Sequence, residues 1–317
     1  MTHHPDQPWT LSIDKISLVR YDPSPANVIE NCDRLIAAFG SGQFPGAMLK
    51  SGRRHRIQLA IPILDNGSLS GRLLIQAGPR FTGLCDYRLE FNPAILGSAG
   101  VDRIVAIVDS VFVEGGHRLL RNSFVTRIDF ALDLLSLSVA QVIVRSSRQR
   151  IHGIFSNQKG IPENIYLGKP KSNQTAIYTR DNDGGPSLRV ERRVKPKCRG
   201  SQLVFLPDPF RSVKMVHTDS LLPLLNGMIP DQFFDSVRVR GFTHVLATLP
   251  PAQRRAIRAV IKDPAQSRLP PTEQVWRSWP QLLKSSGFGF LFEIDGDDAS
   301  IVPEQMTSAH EHAGGAS

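Results

Sequence analysis

Cysteine is scarce in this 317-residue sequence, and its three cysteines lie far apart. Cys32, Cys85 and Cys198 form no C-x-x-C pair, which argues against a structural zinc site. An odd number of widely spaced cysteines is typical of reduced thiols in a cytosolic protein. The cysteine pattern therefore predicts a cytoplasmic location.

Long apolar runs are also missing. No stretch approaches the roughly 18 apolar residues that a membrane-spanning helix needs. The first ten residues, MTHHPDQPWT, lack the basic region and apolar core of a signal peptide. We therefore expect a protein with no membrane partner.

Several catalytic signatures are absent as well. The sequence has no G-x-x-x-x-G-K-[ST] phosphate-binding loop and no G-x-S-x-G elbow. His152, His217 and His244 fall on different predicted elements, and no H-x-H pair occurs. Nucleotide hydrolysis, serine hydrolase chemistry and a histidine-held metal are therefore all disfavoured.

Positive charge is plentiful. Lysine and arginine number 38 against 29 aspartates and glutamates, which gives a net charge of +9. Such a balance favours a polyanionic partner, nucleic acid first and an acidic membrane surface second. A soluble protein that is merely basic is the alternative interpretation.

The hydrophobic pattern predicts an α+β fold, a largely antiparallel sheet with flanking helices followed by a C-terminal helical segment. We predict a catalytic domain over residues 1–216, a helical extension over 217–300 that binds DNA or a partner, and a disordered tail over 301–317. No internal repeat is evident. The individual predictions are strands at 13–20, 56–64, 70–78, 86–93, 124–135 and 165–168, and helices at 25–39, 101–119, 138–151, 231–248, 251–262 and 271–286.

A basic β-hairpin is the most informative segment. Its predicted strands run from Thr175 to Arg180 and from Leu188 to Val194, joined by the turn sequence DNDGGP. Tyr178 lies in the first strand and Glu191 in the second. The cationic residues around the tyrosine are candidate phosphate contacts: Lys169, Lys171, Arg180, Arg189, Arg192 and Arg193.

Carboxylates accompany this tyrosine. Alternation along the strand at 124–135 places Arg127, Asp129 and Asp133 on one face. Asp129, Asp133 and Glu191, with Glu90 as a further candidate, could supply oxygen ligands to Mg²⁺ or Mn²⁺. A tyrosine beside a carboxylate-held metal is suited to attack on a phosphodiester. The alternatives are an ordinary strand tyrosine and carboxylates explained by cross-strand ion pairs.

Four sequence blocks resemble the replication initiation factor family, the rolling-circle initiators of plasmids and filamentous phages that lack the two-histidine motif. They occur in the family's order within about residues 85–210, namely RLEFNP at 88–93, TRIDFALDL at 126–134, YLGKPKSNQTAIYTRD at 166–181 and LRVERRVKP at 188–196. The resemblance implies Tyr178 as nucleophile and Asp129, Glu191 and, less directly, Asp133 as metal ligands.

One position departs from the family pattern. The lysine that usually follows the tyrosine is Arg180 here, which keeps the charge and can hold phosphate but cannot donate a proton near neutral pH.

Taken together, the sequence predicts a metal-dependent enzyme that nicks and rejoins one strand of plasmid or phage origin DNA through a phosphotyrosine intermediate. A non-catalytic DNA-binding regulator of the same fold and a relaxase for conjugative transfer are the alternatives. Host helicase and polymerase are further candidate partners, and a homodimer is a candidate assembly.

Overall fold

The computed structural model describes residues 9–65, 67–158, 162–169, 173–182, 185–267, 269–270 and 272–289. It confirms the α+β class, with a large antiparallel sheet, flanking helices and further helices at the C-terminal end. Within these ranges, no helix combines the length and the apolar character that crossing a membrane requires. The predicted tail over 301–317 lies outside the described residues.

The first part of the chain contributes five strands and three helices. They are β1 (Trp9–Arg20), α1 (Pro25–Gly40), β2 (Met48–Lys50), β3 (His55–Asp65), β4 (Ser68–Pro79), β5 (Tyr87–Phe91), α2 (Pro93–Val111) and α3 (Gly116–Asn122). Helix α1 matches its prediction and begins where the Ser24 hydroxyl accepts a hydrogen bond from the amide of Asn27. The single helix predicted over 101–119 is wrong, because α2 ends at Val111, where Phe112 is extended at φ −108° and ψ 132°, and α3 begins only after Gly115, at φ 80°.

The second part of the chain contributes eight strands and five helices. They are β6 (Phe124–Leu135), β7 (Val142–Ser146), β8 (Ile151–Ser156), β9 (Pro162–Leu167), β10 (Thr175–Asn182), β11 (Gly185–Val194), β12 (Cys198–Arg199), β13 (Val213–His217), α4 (Pro230–Arg240), α5 (Phe242–Thr248), α6 (Pro251–Lys262), α7 (Thr272–Arg277) and α8 (Trp279–Leu283). The helix predicted over 138–151 is wrong. A short 3₁₀ turn precedes β7 and β8 there, and the β-branched run Val142-Ile143-Val144 favours the extended form.

The large sheet consists of two halves that have the same strand order, counted from the centre of the sheet outward. Its path is β2-β3-β4-β5-β1-β6-β11-β10-β9-β8, with every pairing antiparallel, and β12 adds to β6. Strands β1 to β5 thus occupy one half, and β6, β8, β9, β10 and β11 occupy the other half in the same chain order. The structure therefore contains an internal repeat that the sequence does not reveal.

The register supports this equivalence residue by residue. In the first half Gln76 pairs with Arg88, and Leu74 pairs with Glu90. In the second half Tyr178 pairs with Arg189, and Ala176 pairs with Glu191. The two Arg-x-Glu segments, 88–90 and 189–191, therefore hold matching places on opposite halves of the sheet.

The two faces of the sheet differ in polarity. The back face is apolar and belongs to one continuous core that includes Ile16, Leu59, Ile75, Leu89 and Ile128, all fully buried. The front face carries polar side chains from eight neighbouring strands. These are Lys15, Gln58, Gln76, Arg88, Glu90, Arg127, Asp129, Asp133, Asn164, Tyr178, Arg189, Glu191 and Arg193.

The C-terminal helices divide between two cores. Helices α4 to α6 form a smaller core together with Ile143 and Val216 of the two-stranded β7–β13 sheet. Helices α7 and α8 instead join the main core, where Trp279 stacks on Trp276 and its indole donates a hydrogen bond to the carbonyl of Leu203. The predicted domain boundary at residue 217 stays a prediction, but the last helices pack with the main sheet.

Candidate active site on the front face of the sheet

The β10–β11 hairpin places the predicted tyrosine on the polar face. Strand β11 pairs with β10 on one side and with β6 on the other. Directly paired residues of antiparallel strands share a face, so Tyr178, Arg189 and Asp133 form one row. Glu191 lies in the next row, between Ala176 and Ala131.

Tyr178 and Glu191 form a hydrogen-bonded pair. The Tyr178 hydroxyl donates to Glu191 Oε2 at 3.4 Å, and both side chains are half-buried. The alanines on either side of Glu191 leave room above the sheet. A cavity of about 330 Å³ opens there, lined by Asn164, Tyr166, Gln174, Ala176, Tyr178, Glu191 and Arg193.

The surroundings raise the pKa of both members of this pair. Burial and then the negative charges of Asp129 and Asp14 raise the pKa of Glu191. Burial and then the charge of Glu191 raise the pKa of the Tyr178 phenol, with Arg189 opposing the shift. At neutral pH the phenol therefore keeps its proton, and Glu191 is the nearby group that can accept it.

Arg189 and Asp133 form a buried ion pair. Arg189 Nε and Nη2 donate to Asp133 Oδ1 and Oδ2 at 2.7 and 2.6 Å, and Nη1 donates to Asp14 Oδ2 at 2.7 Å. Arg189 is only 5% exposed. This network gives both side chains a structural role, and the roles of Arg189 as a DNA contact and Asp133 as a metal ligand stay predictions.

We expect Arg189→Met to destabilise the protein strongly. The substitution leaves Asp133 and Asp14 without their cation in a buried place, which typically costs about 3–5 kcal/mol. Urea unfolding followed by the fluorescence of buried Trp279 measures the change.

A suitable control is Arg34→Ala, because Arg34 forms an exposed pair with Glu30 on α1 and should change stability by about 0.5 kcal/mol or less. Equal stability changes for the two variants would contradict the structural role of Arg189.

Asp129 is also held by arginines. Arg127 makes a two-pronged contact with it, with Nε 2.8 Å from Oδ1, and Arg193 Nε lies 3.7 Å from the same oxygen. In the described part of the chain, no group of three or more histidine, cysteine, aspartate or glutamate side chains is arranged to hold a metal ion. The arrangement does not fit the three-carboxylate metal site predicted from Asp129, Asp133 and Glu191.

The remaining predicted DNA contacts are scattered. Arg193 lines the cavity and is partly exposed, while its buried Nε faces Asp129. Arg180 is exposed on the Tyr178 face, two residues further along β10, and Lys169 is exposed after β9. Arg192 points to the opposite face and binds the Asn173 carbonyl and the Thr175 hydroxyl. Lys171 lies outside the described residues.

Sequence reasoning missed three residues near the site. Asp14 enters it through a β-bulge in β1 between Ile13 and Lys15, which no pattern in the sequence announces. Phe155 and Tyr166 lie on the adjoining strands β8 and β9, where their rings meet edge to face at a centroid distance of 5.6 Å. The only available signal was the alternation within the segments that form β8 and β9.

A larger cavity lies away from these residues. Its volume is about 680 Å³, and it lies between the ends of β1 and β6 and the segment after α6, with Trp9, Leu134 and Leu269 in its lining. No tyrosine, histidine or cysteine is among the described residues that line it. We therefore place the candidate active site at the smaller cavity, which contains the tyrosine and its carboxylate.

The sequence was compared with known proteins. No protein-family model matches it, and no curated protein is significantly similar to it. The resemblance to replication initiation factors thus rests on the four sequence blocks.

Proposed function

We propose that the protein is a rolling-circle replication initiator that nicks and rejoins one strand of origin DNA through Tyr178. One observation carries the proposal: the Tyr178 hydroxyl donates a hydrogen bond to Glu191 in a cavity that also contains Arg193. The net charge of +9 and the sequence blocks around these residues support the same conclusion.

The proposed reaction uses groups of this chain. The Tyr178 oxygen attacks the phosphorus while the phenol proton moves to Glu191. A bond forms between the phenol oxygen and phosphorus, and the bond from phosphorus to the 3′ oxygen breaks. The products are a 5′-phosphotyrosyl link and a 3′ hydroxyl that takes its proton from water. Arg193 is placed to stabilise the charge on the phosphate, and Arg180 to contact the adjacent backbone.

The Mg²⁺ or Mn²⁺ cofactor stays a prediction. Asp133 is occupied by Arg189, and ligation by Asp129 would require Arg127 to move away from it. We therefore assign no step of the reaction to a metal. Host helicase, polymerase, a homodimer and a cytoplasmic location likewise remain predictions.

A nicking assay tests the proposal. Supercoiled plasmid that carries the protein's own origin is incubated with the protein, with and without Mg²⁺. The proposal predicts open-circle DNA with protein covalently attached to it. Intact DNA that is only retarded on a gel would contradict it.

A non-catalytic DNA-binding regulator is the second candidate. The observation that favours it is that Arg189 and Arg127 already hold Asp133 and Asp129, two of the three carboxylates predicted to bind a metal. The plasmid assay separates the two functions. A conjugative relaxase would use the same chemistry and would differ only in the DNA sequence that it cuts.

A further inference from the structure

Phe155 presents an apolar ring to solvent on a polar surface. The side chain is 59% exposed on β8. Its ring lies edge to face against Tyr166 of β9, with an interplanar angle of 86°. Tyr166 in turn lines the cavity that contains Tyr178 and Glu191. An aromatic surface therefore continues directly from the candidate active site.

The register fixes the distance between this surface and the nucleophile. Phe155 pairs with Asn164 on β9, and Asn164 pairs with Tyr178 on β10. Neighbouring strands lie about 4.8 Å apart, so Phe155 and Tyr178 are separated by roughly 10 Å across the sheet. A DNA strand whose phosphate reaches Tyr178 would bring an adjacent base within reach of the aromatic rings.

The first half of the sheet serves as an internal comparison. By register, Phe155, Tyr166 and Tyr178 of the second half correspond to Lys50, Ala60 and Gln76 of the first half. The same strand arrangement therefore forms with no aromatic residue at any of these three places. The packing of the sheet does not require the rings, and they occur only in the half that holds the candidate nucleophile.

We propose that Phe155 and Tyr166 form a stacking platform for one base of a single-stranded nucleic acid, next to the phosphate that Tyr178 attacks. Base stacking on an aromatic ring is tolerant of sequence, and the nearby arginines supply the matching backbone contacts. The cavity volume of about 330 Å³ lies at the lower end of the range for small-ligand pockets, which suits a single nucleotide rather than a duplex. The placement next to the cleaved phosphate rests on the proposed function, whereas base binding does not.

The experiment measures binding without cleavage. All proteins carry Tyr178→Phe, and fluorescence anisotropy follows their affinity for labelled oligo(dT) of about 12 nucleotides, a usual length for such sites. A strand of the same length without bases serves as the second probe, because it keeps the phosphates and removes the stacking partners. We expect Phe155→Ala to weaken oligo(dT) binding about 5- to 150-fold, which is the usual contribution of one stacked base.

The controls separate base stacking from backbone contacts and from general effects of the substitution. Phe155→Trp should keep the affinity, and both the Phe155→Ala variant and its parent should bind the baseless strand equally weakly. Phe205→Ala is the matched control, because Phe205 is 82% exposed in a 3₁₀ segment outside the front face and should change nothing.

Three results would overturn the platform. These are unchanged oligo(dT) affinity in Phe155→Ala, an equal loss on both strands, or a dimer that becomes monomeric in Phe155→Ala with its DNA affinity intact. The last result would place Phe155 in an interface between two copies of the chain. If the platform binds bases but the wild-type protein does not nick its origin, only the proposed catalysis fails.

Discussion

A Tyr178→Phe variant is expected to lose strand cleavage while it keeps its fold and its DNA affinity. The substitution removes only the oxygen that would form the bond to phosphorus. Loss of a covalent nucleophile typically reduces the rate by about 10³-fold or more. Quenched-flow nicking of an origin oligonucleotide measures the rate, and anisotropy measures the binding. The melting temperature should change little, because the hydrogen bond from the hydroxyl to Glu191 is long, at 3.4 Å.

Tyr166→Phe is the matched control for this experiment. It removes a hydroxyl from another tyrosine that lines the same cavity and keeps the ring that the stacking platform needs. It should nick at close to the wild-type rate. Normal nicking by Tyr178→Phe, or equal losses in the two variants, would remove Tyr178 from the role of nucleophile.

Glu191→Gln is expected to slow nicking by about 10²- to 10⁴-fold, the usual range for loss of a general base. Glutamine keeps the size and accepts the Tyr178 hydrogen bond but cannot take up the proton. The wild-type rate should rise with pH through the raised pKa of Glu191 and then level off, because only the ionised carboxylate accepts the proton. This low-pH limb should be missing from the profile of the variant. A rate and a pH profile that match the wild type would refute the assignment of Glu191 as base.

Glu90 is the control for Glu191, because it occupies the corresponding place in the first half of the sheet. Burial would raise the pKa of Glu90, but hydrogen bonds and charge from Lys15 and Arg88 outweigh it and lower the pKa. A carboxyl group whose pKa is lowered by folding stabilises the folded protein at pH values above its pKa in the unfolded chain. This contribution is lost as the pH falls through the pKa of the folded state. A carboxyl group whose pKa is raised by folding, as for Glu191, stabilises the folded protein only at low pH, where the group is protonated. This contribution is lost as the pH rises through the pKa of the folded state.

The two glutamine variants should therefore shift stability in opposite directions. At neutral pH, Glu191→Gln is expected to raise the melting temperature by about 1–4 °C, as often happens when a strained functional residue is replaced. Glu90→Gln is expected to lower it and to leave the chemical step unchanged. Both differences should shrink near pH 4. Shifts of the same sign at neutral pH would contradict this description of the two sites.

Local sequence signals predicted much of the fold. The predicted strands at 56–64 and 70–78 correspond to β3 and β4, and alternation identified β6 with its observed bounds, Phe124–Leu135. The helix predicted over 138–151 was wrong because the strands that pair with β7 and β8 lie elsewhere in the chain, and pairing decided the outcome.

The candidate site was predictable only in part. The sequence placed Tyr178 and Glu191 on the two strands of one short hairpin, and the register of that hairpin brings them to one face. The partners of Arg189 were not predictable, because they depend on a bulge at Asp14 and on a pairing across 56 residues to Asp133. The repeat stayed hidden because many equivalent residues differ, as Gln76 and Tyr178 do, and the shared Arg-x-Glu segments are short.

The most direct test of the account is to map the protein–DNA bond. Wild-type protein is mixed with an origin oligonucleotide, the covalent product is digested with trypsin and nuclease, and mass spectrometry locates the residue that carries the nucleotide. The account predicts one modified peptide, with a 5′ phosphate attached to the oxygen of Tyr178. A nucleotide attached to Tyr166 or another residue, or cleaved DNA with no covalent product, would contradict it.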